Sequence, residues 1–350
     1  MRPTPYQRLT IGVLTLATLL ACSRPAPSAP SAAGAAPSAP ATAAPPALLP
    51  TRLAYTTTNA GTTPMWVAQE TGLFREEGLE TSLVRIPAGA PMLGALQNGD
   101  VAVAMAGGPA IVDAILQGGD QVIVGSLSNA HVQALYGAPS FPTVESLRGR
   151  TVGVSRIGAA SDVAGREALR RHGLEPGRDV AIVATGGNPE SVAALQAGAV
   201  QGIVVSPPLG LEARRLGLHL LIDITALQLP SPGSTLSTTR RYVETHPEIV
   251  ERVVRGVIRG VHRYETDREA AIQAIARYSG VEEREVLEDT YEYFRGRFQR
   301  DLYPSLEAIA AELASRTDVP AAATARPEQF VDLRFVERLR ASGFVDALYQ

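Results

Sequence analysis

The sequence contains no lysine, because all 32 of its basic residues are arginine. A Walker A phosphate loop and Schiff-base chemistry with pyridoxal phosphate both need a lysine, so both classes are excluded. The chain also has a single cysteine, Cys22, and five histidines, none paired at metal-ligand spacing. Cysteine-rich zinc sites, thioredoxin-like motifs, iron–sulfur clusters and disulfide frameworks need more cysteine than this. We therefore expect no cofactor and no metal.

The charge balance argues against a nucleic-acid partner. The 350 residues carry 35 acidic side chains against the 32 arginines, for a net charge of −3, and only 5% of residues are aromatic. A nucleic-acid-binding protein normally shows a strong basic excess. The length is sufficient for one large or two ordinary globular domains.

The N-terminus has the features of a secretory signal. Arg2 and Arg8 precede an apolar run, 9–20, that is too short to span a hydrocarbon core of ~30 Å. The tetrapeptide at 19–22 (LLAC) resembles a bacterial lipobox, in which the cysteine is lipidated. We therefore predict that residues 1–22 are a lipoprotein signal, and that a lipid on Cys22 holds the protein at an extracytoplasmic membrane surface. The alternative is an ordinary signal with an incidental cysteine.

A linker follows the cysteine. Residues 23–50 are almost wholly alanine, proline and serine, a composition that cannot bury a core and favours an extended, disordered spacer.

From residue 51 the chain alternates strand-like and helical segments, which is typical of an α/β fold with mainly parallel strands. The predicted strands are 52–56, 80–86, 101–104, 122–126, 151–155, 180–184, 202–205 and 218–224. The segment 95–99 (ALQNG) recurs at 194–198 (ALQAG), and each copy precedes a strand. This order predicts two related lobes, although helix–glycine–strand units look alike in any α/β protein. After residue 231 amphipathic helices dominate, beginning with a valine-rich stripe after Pro247.

Several segments resemble one family of transport proteins. They are 64–74 with 77–79, 96–104, 146–154, 196–205 and the helix start at 245–248. In order and spacing they are similar to the extracytoplasmic substrate-binding proteins of nitrate/sulfonate/taurine-type ABC importers, a family that includes thiamine-pyrimidine-precursor binding proteins. The cysteine-rich motif of that last branch is absent here, so its substrate is not expected.

The resemblance implies a two-lobed periplasmic-binding-protein type II fold with a helical C-terminal region. Lobe I is expected at 51–137 plus 231–350 and lobe II at 138–230, with crossovers near 137–143 and 229–238. It also implies that the protein is a monomer, that its ligand is a small molecule, and that its partners are an ABC permease and the ATPase of that permease.

Ligands of such folds bind where parallel strands end and helices begin. The residues at these positions are the candidate ligand-binding set: Thr56, Thr57, Asn59, Trp66, Ala106, Gly107, Gly108, Ser155, Arg156, Ser161, Asp162, Asn188 and Ser206. Arg156 either clamps an anionic group of the ligand or pairs with Asp162 or Glu190 at the surface. Trp66 is either a ligand platform or part of the core. Asp162 and Asn188 are also candidates for ordinary helix N-caps, and Ser206 for a simple turn.

No nucleophile elbow, catalytic cysteine, zinc motif or phosphate loop appears in the sequence. We therefore expect a protein that is not an enzyme and that captures a small solute, an anionic one being a candidate, for an importer. The alternatives are a ligand-sensing lipoprotein and an enzyme built on the same fold.

Overall fold

A computed structural model describes residues 47–206 and 209–350. The predicted signal, Cys22 and nearly all of the predicted linker lie outside the described residues.

Within the described residues ten strands form two five-stranded sheets, and each sheet is the centre of one lobe. Lobe I is built on β1, β2, β3, β4 and β10, and lobe II on β5 to β9. All eight predicted strands are present, with ends that differ by at most a few residues. The strands are β1 (Leu49–Tyr55), β2 (Leu79–Arg85), β3 (Val103–Gly107), β4 (Gln121–Ser126), β5 (Ala134–Gly137), β6 (Arg150–Val154), β7 (Val180–Ala184), β8 (Gly202–Val205), β9 (His219–Asp223) and β10 (Ser234–Thr239).

The two sheets have the same topology, in agreement with the sequence repeat. The strand order is β2-β1-β3-β10-β4 in one and β7-β6-β8-β5-β9 in the other. In lobe I, β1 pairs in parallel with β2 and β3, and in lobe II, β6 pairs in parallel with β7 and β8. The next strand of each sheet is antiparallel to its neighbour: β10 to β3 in lobe I, and β5 to β8 in lobe II. That antiparallel strand, β5 or β10, is the first strand after the chain has crossed from one lobe to the other.

The first crossover between the lobes comes earlier in the chain than expected. The predicted division at residue 137 leaves β5 with lobe I, whereas β5 pairs with β8 and β9 in the second sheet. The connection is therefore the segment 127–133, not 137–143. The return connection, 224–233, overlaps the predicted 229–238.

Helices cover both sheets and make up the C-terminal region. The helices that the sequence predicts after residue 231 are present, and the valine-rich stripe belongs to the one that begins at Pro247. The α-helices are α1 (Thr63–Glu70), α2 (Leu73–Glu76), α3 (Ala90–Asn98), α4 (Gly108–Leu116), α5 (Ala160–Arg171), α6 (Asn188–Gln196), α7 (Gly210–Arg215), α8 (Arg240–Thr245), α9 (Pro247–Thr266), α10 (Arg268–Ser279), α11 (Arg284–Phe294), α12 (Leu306–Ala314), α13 (Pro320–Thr324), α14 (Arg334–Ala341) and α15 (Phe344–Leu348).

The long helix α9 anchors the C-terminal region to lobe I. Its valine-rich stripe is buried in the main core of that lobe. A Cβ on Gly260 would lie 2.1 Å from the carbonyl oxygen of Pro64, so glycine is what lets α9 approach α1 this closely. On the other side of α9, Arg255 and Arg259 pair with Glu77. The charges of these two arginines are therefore partly neutralised by an acid of lobe I.

Candidate ligand-binding site

A cavity of about 720 Å³ lies between the lobes. Its walls come from the chain after β1 and β3 in lobe I, from lobe II, from both crossover segments, and from the region around the α11–α12 connection. The lobes themselves contribute Thr57, Asn59, Ala106, Gly107, Ala160, Ser206 and Ser234. The crossovers and the C-terminal region contribute Ser128, Asn129, His131, Gln133, Thr225, Gln228, Ser231, Phe294, Arg297, Phe298, Gln299 and Glu307.

The two crossover segments are hydrogen-bonded to each other and form one wall of the cavity. The amide of Gly233 donates to the carbonyl of Ser128 at 2.9 Å, and the amide of Ser231 donates to the carbonyl of Asn129 at 3.1 Å. The amide of His131 donates to the carbonyl of Leu229 at 2.9 Å. These bonds satisfy backbone groups that burial would otherwise leave unpaired. The segments that connect the lobes are thus ordered, and they hold polar side chains against the cavity.

Two of these side chains, His131 and Gln133, are almost fully buried. Their exposed fractions are 6% and 7%. Burial lowers the pKa of His131 from 6.5 to about 4. The side-chain oxygen of Gln133 lies near enough to the imidazole to oppose that shift in part, but the two groups do not reach hydrogen-bond geometry. At neutral pH His131 is therefore an uncharged imidazole. The Oε1 atom of Gln133 forms no hydrogen bond within the described part of the chain.

Five of the predicted site residues lie on the cavity: Thr57, Asn59, Ala106, Gly107 and Ser206. Two of them already have local partners. The side chain of Asn59 caps a short 3₁₀ helix by accepting from the amide of Gly61 at 2.9 Å, and Thr57 Oγ1 accepts from the amide of Asn59 at 3.2 Å. Thr56, the residue before Thr57, is not on the cavity wall, and its amide donates to the carbonyl of Met105.

Trp66 belongs to the core of lobe I, not to the cavity. Its exposed fraction is 0%, and its ring stacks on Tyr278 with centroids 5.1 Å apart. The ring of Tyr55 meets it edge-on at 5.7 Å. Of the two interpretations of this tryptophan, the structure supports the packing one.

Gly108 serves the packing of the return crossover. A Cβ at this position would lie 2.0 Å from the carbonyl oxygen of Pro232, which leaves room only for glycine. Its amide donates to the carbonyl of Gly233 at 2.8 Å. Gly107, the preceding residue, has open space where a Cβ would stand, and it is the one that lines the cavity.

In lobe II, Ser155, Ser161 and Asp162 organise the loop before α5. The hydroxyls of Ser155 and Ser161 lie 2.8 Å apart. Asp162 Oδ2 accepts from the amide of Gly158 at 2.8 Å, and Oδ1 pairs with Arg166 at 2.6 Å. None of the three predicted residues is on the cavity wall, although Ala160 of the same helix is.

Arg156 is exposed and lies outside the cavity lining. Its predicted pairing with Asp162 is wrong, because Arg166 occupies that carboxylate. Among the described residues it forms no ion pair. The geometry of this structure thus gives Arg156 no anion-clamping position.

Asn188 positions Ser206. Its Nδ2 donates to the carbonyl of Ser206 at 2.6 Å, and the amide of Ser206 donates to its Oδ1 at 3.3 Å. Asn188 is the first residue of α6, and the N-cap is Gly187, so the predicted capping role is wrong. The asparagine instead fixes the end of β8 where it reaches the cavity.

The sequence prediction missed the crossover and C-terminal walls of the cavity. The crossover residues were missed because the first crossover was expected about ten residues too late. Phe294 and Phe298 are not among the predicted site residues; the signal that could have found them is a pair of aromatic side chains four residues apart near a helix end. Their rings stack with centroids 5.5 Å apart, and both residues line the cavity.

The described residues contain no group of three or more histidine, cysteine, aspartate and glutamate side chains placed to hold a metal ion. No helix in the part of the chain that the structure describes is long and apolar enough to cross a membrane.

A family model matches residues 50–279, two thirds of the chain, and is described as the NMT1-like family. The chain belongs to the NMT1-like family. This bears out the predicted resemblance to the binding proteins of ABC importers. A comparison with curated proteins finds no significant match.

Solved structures with the same fold include binding proteins and an enzyme. The periplasmic aliphatic sulphonate-binding protein SsuA from Escherichia coli is 24% identical, with a TM-score of 0.68 over 81% of this chain and 97% of that one. The periplasmic nitrate-binding protein NrtA from Synechocystis PCC 6803 is 14% identical, with a TM-score of 0.63 over 85% and 89%. The desulfurization enzyme DszB is 16% identical, with a TM-score of 0.63 over 83% and 99%. At these identities the likeness establishes the two-lobed periplasmic-binding-protein fold of this NMT1-like chain.

Proposed function

We propose that this protein is the solute-binding component of an ABC importer. It captures a small organic solute in the cavity between the lobes and delivers it to the permease. The observation that carries the proposal is the cavity itself, which is lined by both lobes and by the crossovers that join them. A solute held there contacts both lobes at once, so its binding favours the closed arrangement over an open one.

Contacts between the lobes support closure as the working motion. Arg214 of α7 pairs with Asp289 of α11 at 2.8 Å, and Arg215 pairs with Glu285 at 3.0 Å. These ion pairs lie at the surface and are individually weak, ~0–1 kcal/mol each. Weak contacts of this kind suit a protein that must open again to release its solute.

Calorimetric titration with sulfonates, carboxylates, nitrate and nucleobase precursors tests the proposal. We expect saturable binding of one solute per protein, and recovery of that solute unchanged after prolonged incubation. Conversion of the solute would contradict the proposal and support the second candidate, an enzyme on the same fold, which the likeness to DszB brings into view. The neighbouring genes distinguish transport from ligand sensing: genes for a permease and an ATPase beside this one would support transport.

The lipid anchor is a separate part of the proposal, since Cys22 lies outside the described residues. We infer that cells attach lipid to Cys22 and that the linker holds the lobes away from the membrane on the extracytoplasmic side. The linker ends at residue 48, two residues earlier than predicted, because Leu49 is the first residue of β1. Radiolabelled palmitate should be incorporated into the protein and lost in the variant Cys22→Ala. Labelling that persists in the variant contradicts the lipobox interpretation.

A further inference from the structure

We propose that the cavity selects an uncharged organic solute carrying an N–H or O–H group, and that this group donates a hydrogen bond to the side-chain oxygen of Gln133. The inference rests on the proposed function and specifies the chemical class of its ligand. It replaces the anionic solute that the exposed Arg156 suggested.

The first argument is the unmatched acceptor. Gln133 is on the cavity wall with 7% of its surface exposed, and its Oε1 has no partner among the described residues. A buried polar atom without a hydrogen bond costs ~1–3 kcal/mol. An N–H or O–H donor on the solute removes that cost. A sulfonate, carboxylate or nitrate ion presents only acceptors and leaves Oε1 unmatched.

The second argument is the charge of the cavity wall. Its charged side chains, within the described residues, are one cation and one anion, Arg297 and Glu307. Both are exposed. The guanidinium of Arg297 lies over the ring of Tyr293, 4.5 Å from its centroid, and donates to the carbonyl oxygen of the same residue. His131, deeper in the wall, is uncharged at neutral pH. An anion that entered this cavity would lose its hydration with no buried cation to compensate it.

The third argument concerns the helix ends that usually hold anions in such clefts. At the start of α4 the amide of Gly108 is already bonded to Gly233, and Pro109 has no N–H to offer. At the start of α12 the side chain of Ser305 accepts from the amide of Ala308 at 3.1 Å. At the start of α5 the carboxylate of Asp162 is already present. The three ends offer an anion little free donor capacity.

The aromatic wall explains why the solute is organic. Phe294 and Phe298 are buried, with exposed fractions of 3% and 6%, and face a cavity otherwise rich in neutral polar groups. Carbon atoms of a solute placed against these rings are removed from water, which is favourable by ~25 cal/mol per Å² of apolar surface. A small inorganic ion gains nothing from this wall.

Matched pairs of compounds provide the test. The two members of each pair have nearly the same shape, but one is an anion with only hydrogen-bond acceptors and the other is an uncharged molecule with N–H donors. The pairs are benzoate with benzamide, methanesulfonate with methanesulfonamide, and nitrate with urea. Calorimetry and thermal shift of the full chain at neutral pH measure each member. We expect benzamide and methanesulfonamide to bind at least about tenfold more tightly than their anions, which corresponds to about 1.4 kcal/mol.

Variants assign the effect to the residue. Gln133→Leu should weaken benzamide binding about tenfold or more while the protein still unfolds cooperatively on heating. Gln117→Leu, the same substitution at an exposed glutamine outside the cavity, is the matched control and should leave benzamide binding unchanged. If Gln133→Leu does not fold, Gln133→Met and the preference of the wild-type protein within each pair still decide the question.

Each outcome bears on one of the two proposals. Tighter binding of the anions, abolished in Arg297→Gln, overturns the inference but leaves the binding function intact. Benzamide binding that is equal in the wild type and in Gln133→Leu also overturns it. Failure of every compound, charged or uncharged, to bind contradicts the proposed function together with the inference.

Discussion

The hydroxyl of Tyr293 lies 2.7 Å from Oγ1 of Thr225, and this hydrogen bond joins the two lobes at the edge of the cavity. Tyr293 belongs to α11, which packs on lobe I, while Thr225 follows the last strand of lobe II. The Thr225 hydroxyl also contacts the carbonyl of Gln133 at 3.2 Å. Since a carbonyl can only accept, the threonine gives its proton to Gln133 and the tyrosine donates to the threonine.

Removing this donor should weaken the closed form. We predict that Tyr293→Phe lowers the affinity for the tightest-binding compound about two- to tenfold, because a net hydrogen bond contributes ~0.5–1.5 kcal/mol. Calorimetry measures the effect. Tyr303→Phe is the control, because the Tyr303 ring contacts Arg340 and is not part of an interlobe hydrogen bond. Equal affinities for Tyr293→Phe and the wild type would show that the bond does not support closure.

The ion pair between Arg214 and Asp289 should make closure sensitive to salt. We predict that Arg214→Glu opens the unliganded protein, because it places two like charges together, and that small-angle scattering detects a larger radius of gyration. The wild type should open partly in about 1 M salt, where the Debye length is ~3 Å.

A charge swap distinguishes the pair from a general charge effect. Arg214→Asp combined with Asp289→Arg should restore the wild-type radius. Arg268→Glu is the matched control, because Arg268 pairs with Glu288 at 3.3 Å between α10 and α11 on the same side of the cleft. A radius of gyration that changes equally in Arg214→Glu and Arg268→Glu would show that the Arg214–Asp289 pair does not hold the lobes together.

The two strands that the sequence did not predict, β5 and β10, are the ones that directly follow a crossover. β10 reads STLSTT, a polar sequence that is nevertheless buried, with Thr235 and Ser237 at 0% exposure. Its hydroxyls are satisfied inside the sheet: Thr238 Oγ1 donates to the carbonyl of Ala102 at 2.6 Å. β5 is only four residues long. Neither carries the periodicity on which strand prediction depends.

The site was predicted where local rules determine it and missed where the lobes meet. Residues that follow strands, such as Thr57 and Ser206, reach the cavity because parallel strands end at one edge of a sheet. His131 and Gln133 reach it because the crossovers pair across almost a hundred residues of chain, a relationship that no local pattern carries.

The placement of Trp66 leads to a prediction about fluorescence. Because its ring is buried between Tyr55 and Tyr278, away from the cavity, its emission should be that of a buried indole and should change little on ligand binding. Trp66→Ala should lower the free energy of unfolding by about 3–5 kcal/mol, measured in denaturant. A large emission shift with the tightest-binding compound would contradict this placement.

Burial of His131 should make the folded state sensitive to acid. The pKa is about 4 in the folded protein and 6.5 in the unfolded chain, so the unfolded chain binds the proton first as the pH falls. Its contribution to stability is therefore fully present above pH 6.5 and is lost progressively between pH 6.5 and 4. The free energy of unfolding falls by roughly 3 kcal/mol over this range, because one proton contributes about 1.36 kcal/mol for each unit of difference between the two pKa values.

The variant His131→Gln should remove this part of the pH dependence. Denaturant unfolding of the variant and the wild type at several values between pH 7 and 4 isolates the contribution of one histidine from that of the carboxylates, which both proteins share. His172→Gln is the control at an exposed histidine, and it should retain the wild-type slope. Parallel stability profiles for His131→Gln and the wild type would show that His131 is not held uncharged by burial, and they would remove one support for an uncharged cavity wall.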